Sequence, residues 1–185
     1  MKKQNKVIFY GTPAFARDCL KYLINENVKI SAVVTTPDKY SGRGRKISFS
    51  SVKEFCLKNN IKIFQPENLK DELFLSLIKK IAPDFQIVVA FRMLPKEVWS
   101  IAKVFTFNLH ASFLPNYRGA APINWAIING ENKTGLTTFI IDEKIDTGLI
   151  LLNEEVKIDP LDTFLSLSYK LIKKSGPLIK KTIEY

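Results

Sequence analysis

Histidine and cysteine are scarce in this chain of 185 residues, which contains one histidine, His110, and two cysteines, Cys19 and Cys56. The two cysteines are far apart in sequence, and each falls in an apolar pattern with helical spacing. This placement favours buried free thiols in a reducing compartment over a disulfide or a metal site. We therefore expect neither a disulfide nor a bound metal.

Long apolar runs are also missing. No run approaches the roughly 20 apolar residues that a membrane-spanning helix needs. The first residues, MKKQNK, lead into a strand-like VIFY without a signal-peptide cleavage region. These features predict a cytoplasmic protein that does not enter a membrane.

A glycine-rich nucleotide loop is absent from the first strand and helix. The turn between them reads GTPAF, which does not fit the pattern GxGxxG. The common reason for such a turn, a dinucleotide pyrophosphate at a helix N-terminus, therefore has no support here.

The composition is that of a globular protein with one sizeable core, since 46% of the residues are apolar. The formal net charge of +10 would suit an anionic partner such as RNA. However, 23 of the 28 basic residues are lysine, and the chain is also rich in isoleucine, asparagine and phenylalanine. A compositional bias of the genome would produce the same pattern, so charge alone supports RNA binding only weakly.

Short apolar runs alternate along the chain with stretches of helical periodicity, which predicts a doubly wound α/β sheet, mostly parallel. Strands are predicted at 6–10, 30–35, 61–64, 85–90, 104–110, 136–141 and 149–156. Helices are predicted at 15–24, 52–58, 69–81, 95–101, 120–129 and 163–174. The last helix is expected to stop at Gly176 and Pro177.

A basic segment, PDKYSGRGRK at 37–46, follows the second strand. Two glycines spaced by arginine predict a mobile basic loop. Its charge pattern alone favours a solvated surface loop over a binding loop.

The stretch FNLHASFLPNYRGAAPINW at 107–125 concentrates groups that can act on a substrate. Asn108 and His110 are two residues apart at the end of an apolar run, so in a strand both would project from one face. Open α/β sheets bind their ligands at the carboxyl ends of their strands. Asp146, in IDEKIDTG, adds a carboxylate that could orient an imidazole or relay a proton. An amide, an imidazole and a carboxylate suit acyl transfer, although a lone histidine at a strand end is more often structural.

A family resemblance favours the catalytic role of His110 over the structural one. It is carried by three segments that occur in this order: VIFYGTPAFA, TTPDKYSGRGRK, and NLHASFLPNYRGAAPINWAIINGENKTG followed by DEKIDTG. Together they resemble the folate-dependent formyltransferases, and among these the methionyl-tRNA formyltransferase family. The resemblance implies a Rossmann-like formyltransferase fold and transfer of a formyl group from 10-formyltetrahydrofolate to the amino group of initiator methionyl-tRNA.

The resemblance also implies roles for particular residues. Asn108, His110 and Asp146 match the catalytic residues of the family, and the Leu114–Pro115 peptide bond is expected to be cis. The basic loop would contact the acceptor end of the tRNA through Arg43, Arg45 and Lys46. Residues that would bind the folate are Phe91, Arg92, Met93, Leu94, Ser112, Phe113, Leu114, Pro115, Ile141, Asp142 and Glu143.

Two alternatives stay open at this point. Formyltransferases that act on a nucleotide-linked amino sugar share much of this pattern, and a truncated module could bind folate or RNA without turnover. The FRMLP loop at 91–95 is also shorter than the commonest form in the family, which leaves the pterin contacts open. Complete members carry a C-terminal β-barrel, so we expect 1–185 to be a catalytic domain without that barrel, acting as a monomer.

Overall fold

The structure, a computed structural model, describes residues 4–41 and 46–184. The chain divides into two compact units, of which the first ends at Thr106 and the second begins at Phe107. None of the helices described is both long enough and apolar enough to cross a membrane.

The first unit contains a parallel sheet with strand order β5-β2-β1-β6. Its central strand β1 is buried along its whole length, because the continuous apolar run leaves no polar face for solvent. The strands of this sheet are β1 (Val7–Gly11), β2 (Ile30–Val34), β5 (Ile63–Phe64) and β6 (Phe85–Val89). The helices are α1 (Ala14–Asn25), α2 (Ser51–Lys58), α3 (Glu72–Ile81) and α4 (Lys96–Trp99).

A buried polar network ties β6 to its neighbours in the first unit. Gln86 is fully buried, and its side chain accepts from the Tyr10 hydroxyl at 2.5 Å. The Gln86 amide donates to the Val98 carbonyl at 2.8 Å and to the Thr106 hydroxyl at 3.1 Å. Because every polar atom of this amide has a partner, the network adds order to the core without an unpaired group.

The basic segment at 37–46 was expected to be a loop, but residues near its two ends belong to strands that pair as a two-stranded antiparallel ribbon. The paired strands are β3 (Lys39–Ser41) and β4 (Lys46–Ser48). Asp38, the residue before β3, is held by two side chains: its carboxylate accepts from Lys53 Nζ at 2.5 Å and from Gln65 Nε2 at 2.9 Å. These partners are remote in sequence, which is why local composition predicted only a loop. Arg43, Arg45 and the side chain of Lys46 lie outside the described residues.

The second unit contains antiparallel strands in the order β7-β8-β9. The strands are β7 (Phe105–His110), which starts just before the boundary, β8 (Lys133–Ile140) and β9 (Ile150–Lys157). The helices are α5 (Pro122–Ile128) and α6 (Phe164–Glu184). The prediction of a mostly parallel α/β fold is confirmed, with the antiparallel strands gathered at the end of the chain.

The predicted stop of the last helix is wrong, because α6 continues through Gly176 and Pro177 to Glu184. An interior proline costs a helix about 3 kcal/mol, since it removes one backbone donor and crowds the preceding turn. Beyond the proline, however, Leu178, Ile179 and Thr182 are all buried. Burial of these side chains outweighs the local cost.

Candidate active site

Strand β7 presents Asn108 and His110 two residues apart, near its carboxyl end. In the register with β8, Asn108 lies opposite Phe139 and His110 lies opposite Thr137. The strand includes both residues, whereas the apolar run alone ended at Phe107. The side-chain direction of each is therefore set by the regular pleat of the sheet.

The imidazole of His110 is buried and faces two protein acceptors. Its Nε2 lies 2.8 Å from the backbone carbonyl of Tyr117, and because a carbonyl can only accept, Nε2 is the donor. Its Nδ1 lies 3.6 Å from Oδ2 of Asp146, a distance that suits an ion pair but is too long for a hydrogen bond. Only 8% of the His110 side chain and 14% of the Asp146 side chain are exposed, so water screens this pair weakly.

Asp146 is held in place by contacts with Arg118 and Gly119. Its Oδ2 accepts from the backbone amide of Gly119 at 2.8 Å, and its carbonyl accepts from Nε of Arg118 at 2.8 Å. Its φ of 53° lies in the left-handed region, which Asp and Asn adopt more readily than other side chains. The carboxylate therefore reaches His110 from a turn with little freedom.

A second carboxylate stabilises that turn. Both carboxylate oxygens of Asp142 accept from the Thr147 hydroxyl, at 2.9 Å and 3.0 Å, and Oδ1 also accepts from the Lys144 amide at 3.0 Å. Asp142, predicted as a folate-binding residue, thus has an internal role in shaping the turn around Asp146.

The carboxamide of Asn108 has no hydrogen-bond partner in the part of the chain that the structure describes. Asn108 is partly exposed, so its N–H groups remain available to an incoming oxygen. A free amide donor next to the His110–Asp146 pair can stabilise negative charge that develops on a carbonyl oxygen.

The segment after β7 has the expected cis bond between Leu114 and Pro115. The hydroxyl of Thr137, which is fully buried, donates to the Ser112 carbonyl at 2.7 Å and accepts from the Leu114 amide at 3.2 Å. The Ser112 hydroxyl donates to the Asn116 carbonyl at 2.6 Å. Thr137 thus fastens this segment to the strand opposite His110.

The predicted folate residues lie in both units. Ser112, Phe113, Leu114, Pro115, Ile141, Asp142 and Glu143 belong to the second unit, and Phe91, Arg92, Met93 and Leu94 belong to the first. The Arg92 guanidinium donates to the backbone carbonyls of Pro66 and Glu67, so it holds its own loop in place. Leu94 is buried, whereas Met93 is 63% exposed. The assignment of these residues to folate stays a prediction.

Four residues around the pair were not singled out in the sequence. They are Tyr117, Arg118, Gly119 and Thr137, and the first three form the YRG of the signature stretch. The Asn-Tyr-Arg-Gly run does indicate a turn, but its contacts with His110 and Asp146 depend on pairing across 7 to 28 positions of sequence. Across residues 4–41 and 46–184, no three or more His, Cys, Asp or Glu side chains form a group that could hold a metal ion.

Comparison with known proteins shows the family to which the chain belongs. A sequence profile of the formyl transferase family matches residues 4–183. The chain belongs to the formyl transferase family. A methionyl-tRNA formyltransferase from Flavobacterium johnsoniae is 53% identical over 97% of this chain, which spans only 57% of that relative's length.

Solved formyl transferases share the fold. The phosphoribosylglycinamide formyltransferase of Streptococcus pneumoniae TIGR4 superposes with a TM-score of 0.79, with 16% identity and 98% of each chain covered. A sugar 3N-formyl transferase, solved in the presence of dTDP and 5-N-formyl-THF, gives a TM-score of 0.68 with 26% identity. The match covers 98% of this chain and 62% of the sugar enzyme.

Proposed function

We propose that this chain transfers a formyl group from 10-formyltetrahydrofolate to the α-amino group of initiator methionyl-tRNA. The observation that carries the proposal is the buried His110–Asp146 pair, 3.6 Å apart, with His110 on the same strand end as Asn108, whose carboxamide has no partner within residues 4–41 and 46–184. These are the groups that formyl transfer to an amine requires: a donor for the oxyanion, and a relay for a proton.

In the proposed reaction, the amine nitrogen attacks the formyl carbon and negative charge develops on the formyl oxygen. The Asn108 amide donates to this oxygen, which lowers the energy of the tetrahedral intermediate. Since Nε2 of His110 is used by the Tyr117 carbonyl, Nδ1 is the ring atom that donates to the same oxygen. The gap between Nδ1 and Asp146 is too long for a direct hydrogen bond, so Nδ1 can share its proton with the substrate.

Collapse of the intermediate then breaks the bond between the formyl carbon and N10 of the folate. The attacking amine loses a proton and N10 gains one, so the reaction is neutral overall. Asp146 stabilises the cationic imidazole and, through water, accepts the amine proton for delivery to N10. This part of the chemistry needs only groups that the second unit provides.

The acceptor is proposed from the degree of relatedness. The methionyl-tRNA formyltransferase relative is 53% identical, against 26% for the sugar 3N-formyl transferase. The local basic sequence SGRGRK also suits an RNA phosphate backbone better than a single nucleotide sugar. We place the reaction in the cytoplasm, where charged tRNA is used.

The folate is proposed to lie against the segments on either side of the catalytic pair in sequence. The side chains of Phe113 and Ile141 are half-buried, so each segment offers some apolar surface, while Leu114 is almost fully buried. The turn from Asp142 to Thr147 is fixed by the hydrogen bonds of the Asp142 carboxylate, so its backbone groups have a defined position from which to hydrogen-bond a heterocycle.

The deciding experiment offers the protein 10-formyltetrahydrofolate with either charged initiator methionyl-tRNA or a nucleotide-linked amino sugar. We expect deformylation of the folate only with the tRNA. The reaction is measured by the absorbance of the folate and by recovery of formylmethionine. Turnover with the amino sugar alone would establish the alternative acceptor. Folate binding without turnover of either acceptor would identify the chain as a binding module.

A further inference from the structure

The segment from Tyr117 to Gly119 contacts both members of the His110–Asp146 pair. The Tyr117 carbonyl accepts from His110, and the Gly119 amide donates to Asp146, each at 2.8 Å. The direction in which the imidazole points therefore depends on where this short segment is held.

The backbone of the segment needs support from its surroundings. φ is 56° at Tyr117, 87° at Gly119 and 54° at Ala121. Residues with a β-carbon adopt positive φ rarely, and such conformations persist only where neighbouring contacts maintain them. A contact that maintains Tyr117 is thus also a contact that orients His110.

The phenol of Tyr117 supplies such a contact. Its hydroxyl donates to Oε1 of Glu131 at 2.5 Å and accepts from Nδ2 of Asn129 at 3.0 Å. Glu131 lies in the turn between α5 and β8, where its own amide donates to the Ala126 carbonyl at 3.0 Å. The hydrogen bond to Glu131 raises the pKa of the Tyr117 phenol, so the proton stays on the tyrosine and the bond keeps its direction.

We propose that Glu131 is a positioning residue of the formyl-transfer site, acting through the phenol and the backbone carbonyl of Tyr117 on the imidazole of His110. The chain of contacts is Glu131 Oε1 to Tyr117 Oη, then Tyr117 O to His110 Nε2. By fixing Nε2, it leaves Nδ1 at the reacting side beside Asp146. This assignment rests on the proposed function, but its physical core, the orientation of His110, does not.

The kinetic test compares Glu131→Ala, Glu131→Gln and Tyr117→Phe with the parent. The alanine and phenylalanine variants remove the contact, whereas glutamine keeps an oxygen that accepts from the phenol. We expect kcat to fall roughly 5- to 50-fold in Glu131→Ala and Tyr117→Phe, less than the hundredfold that a 1 Å misplacement can cost. KM for the folate should change by less than about twofold, and Glu131→Gln should recover most of kcat.

The control is Glu155→Ala in the same unit. Glu155 is an exposed carboxylate with one lysine partner, Lys133 Nζ at 3.0 Å, on the surface of β8 and β9. Its removal changes the net charge by the same amount as Glu131→Ala. We expect its kcat to equal that of the parent.

A second measurement does not depend on activity, because His110 is the single histidine of the chain. Its ring nitrogens give the only imidazole signals in a ¹⁵N-labelled sample. We expect the Nε2 proton to exchange with solvent at least about tenfold faster in Glu131→Ala and Tyr117→Phe than in the parent, with shifted ring ¹⁵N resonances. Glu131→Gln and Glu155→Ala should resemble the parent.

The two proposals can fail separately. A parent that formylates no acceptor would end the proposed function, while the imidazole signals would still decide the positioning role. Imidazole signals that are identical in the parent, Glu131→Ala and Tyr117→Phe would overturn the positioning role, even if kcat fell. A Glu155→Ala variant with the same losses as Glu131→Ala would overturn it as well.

Discussion

Nδ1 of His110 and Oδ2 of Asp146 are 3.6 Å apart, while Nε2 of the same ring is bonded to a backbone carbonyl at 2.8 Å. One nitrogen of the imidazole thus serves the protein and the other is left for chemistry. The ring is buried, so its orientation is not averaged by solvent, and the unbonded nitrogen faces the carboxylate that can stabilise its charge.

Asn108→Ala is expected to lower the rate of formyl transfer about 100- to 1,000-fold, the usual loss for one oxyanion donor. Folding should change little, because no partner among the described residues loses a hydrogen bond. The measurements are kcat and the thermal midpoint. Asn153→Ala is the control, since Asn153 lies on β9 opposite Thr137 and is exposed. A fully active Asn108→Ala variant would show that this amide is structural.

Two buried threonines of β8 should respond differently to replacement by valine. Thr137 bridges Ser112 and Leu114 through its hydroxyl, so Thr137→Val should destabilise by about 1–3 kcal/mol, because it leaves the Leu114 amide unpaired. It should also raise KM for the folate. Thr134 is as deeply buried, but its Oγ1 has no partner among the described residues. Thr134→Val should therefore be neutral or stabilising. Equal losses in denaturant unfolding would refute this distinction.

Asp162 makes the stability of the second unit depend on pH in the acid range. Hydrogen bonds, first from Lys170 and then from Ser166, lower its pKa from 3.8 to about 2. A carboxyl group whose folded pKa is depressed contributes stability above its unfolded pKa, and that contribution is lost as the pH falls through the folded value. Asp162→Asn should therefore lower the midpoint of thermal unfolding by the same amount at pH 7 and at pH 5. The difference from the parent should shrink between about pH 4 and pH 2, and a constant difference would contradict the assignment.

The basic segment at 37–46 should affect tRNA binding but not chemistry. Replacing Arg43, Arg45 and Lys46 by alanine is expected to raise KM for tRNA. A plot of the logarithm of tRNA affinity against the logarithm of salt concentration should also become less steep, by about two to three units of slope. Reaction with a small amine acceptor should remain unchanged. The control replaces three exposed lysines of the first unit, Lys21, Lys29 and Lys58, which gives the same change in net charge. If both triple variants behave alike, the effect is general electrostatics and the basic segment has no special role in binding tRNA.

The parts of the fold that depend on local periodicity could be predicted, and those that depend on tertiary contacts could not. The buried strand β1 can be predicted from its continuous apolar run, and β6 from a run that is apolar apart from Gln86. In contrast, α6 runs past Pro177 because residues beyond it are buried, and the residue before β3, Asp38, is held by Lys53 and Gln65, which are remote in sequence. A local sequence window contains neither cause.

The site divides in the same way. Asn108, His110 and Asp146 can be proposed from the sequence because they lie in a recognisable signature that includes the single histidine of the chain. Tyr117 contributes to the site by a backbone carbonyl, and every residue has one, so its side chain gave no hint. In the sequence, nothing distinguishes Glu131 from the other acidic residues. Only its hydrogen bond with the Tyr117 phenol in the structure indicates a role.

The left-handed backbone of Asp146, with φ of 53°, limits which residue types this position can accept. Glycine and asparagine would suit the backbone but lack the negative charge that faces His110. Glutamate would keep the charge, but its longer side chain favours other backbone angles and would move the carboxylate away from the Gly119 amide. Aspartate alone among the twenty amino acids meets both demands, so every other residue at this position should give formyl transfer slower than that of the parent.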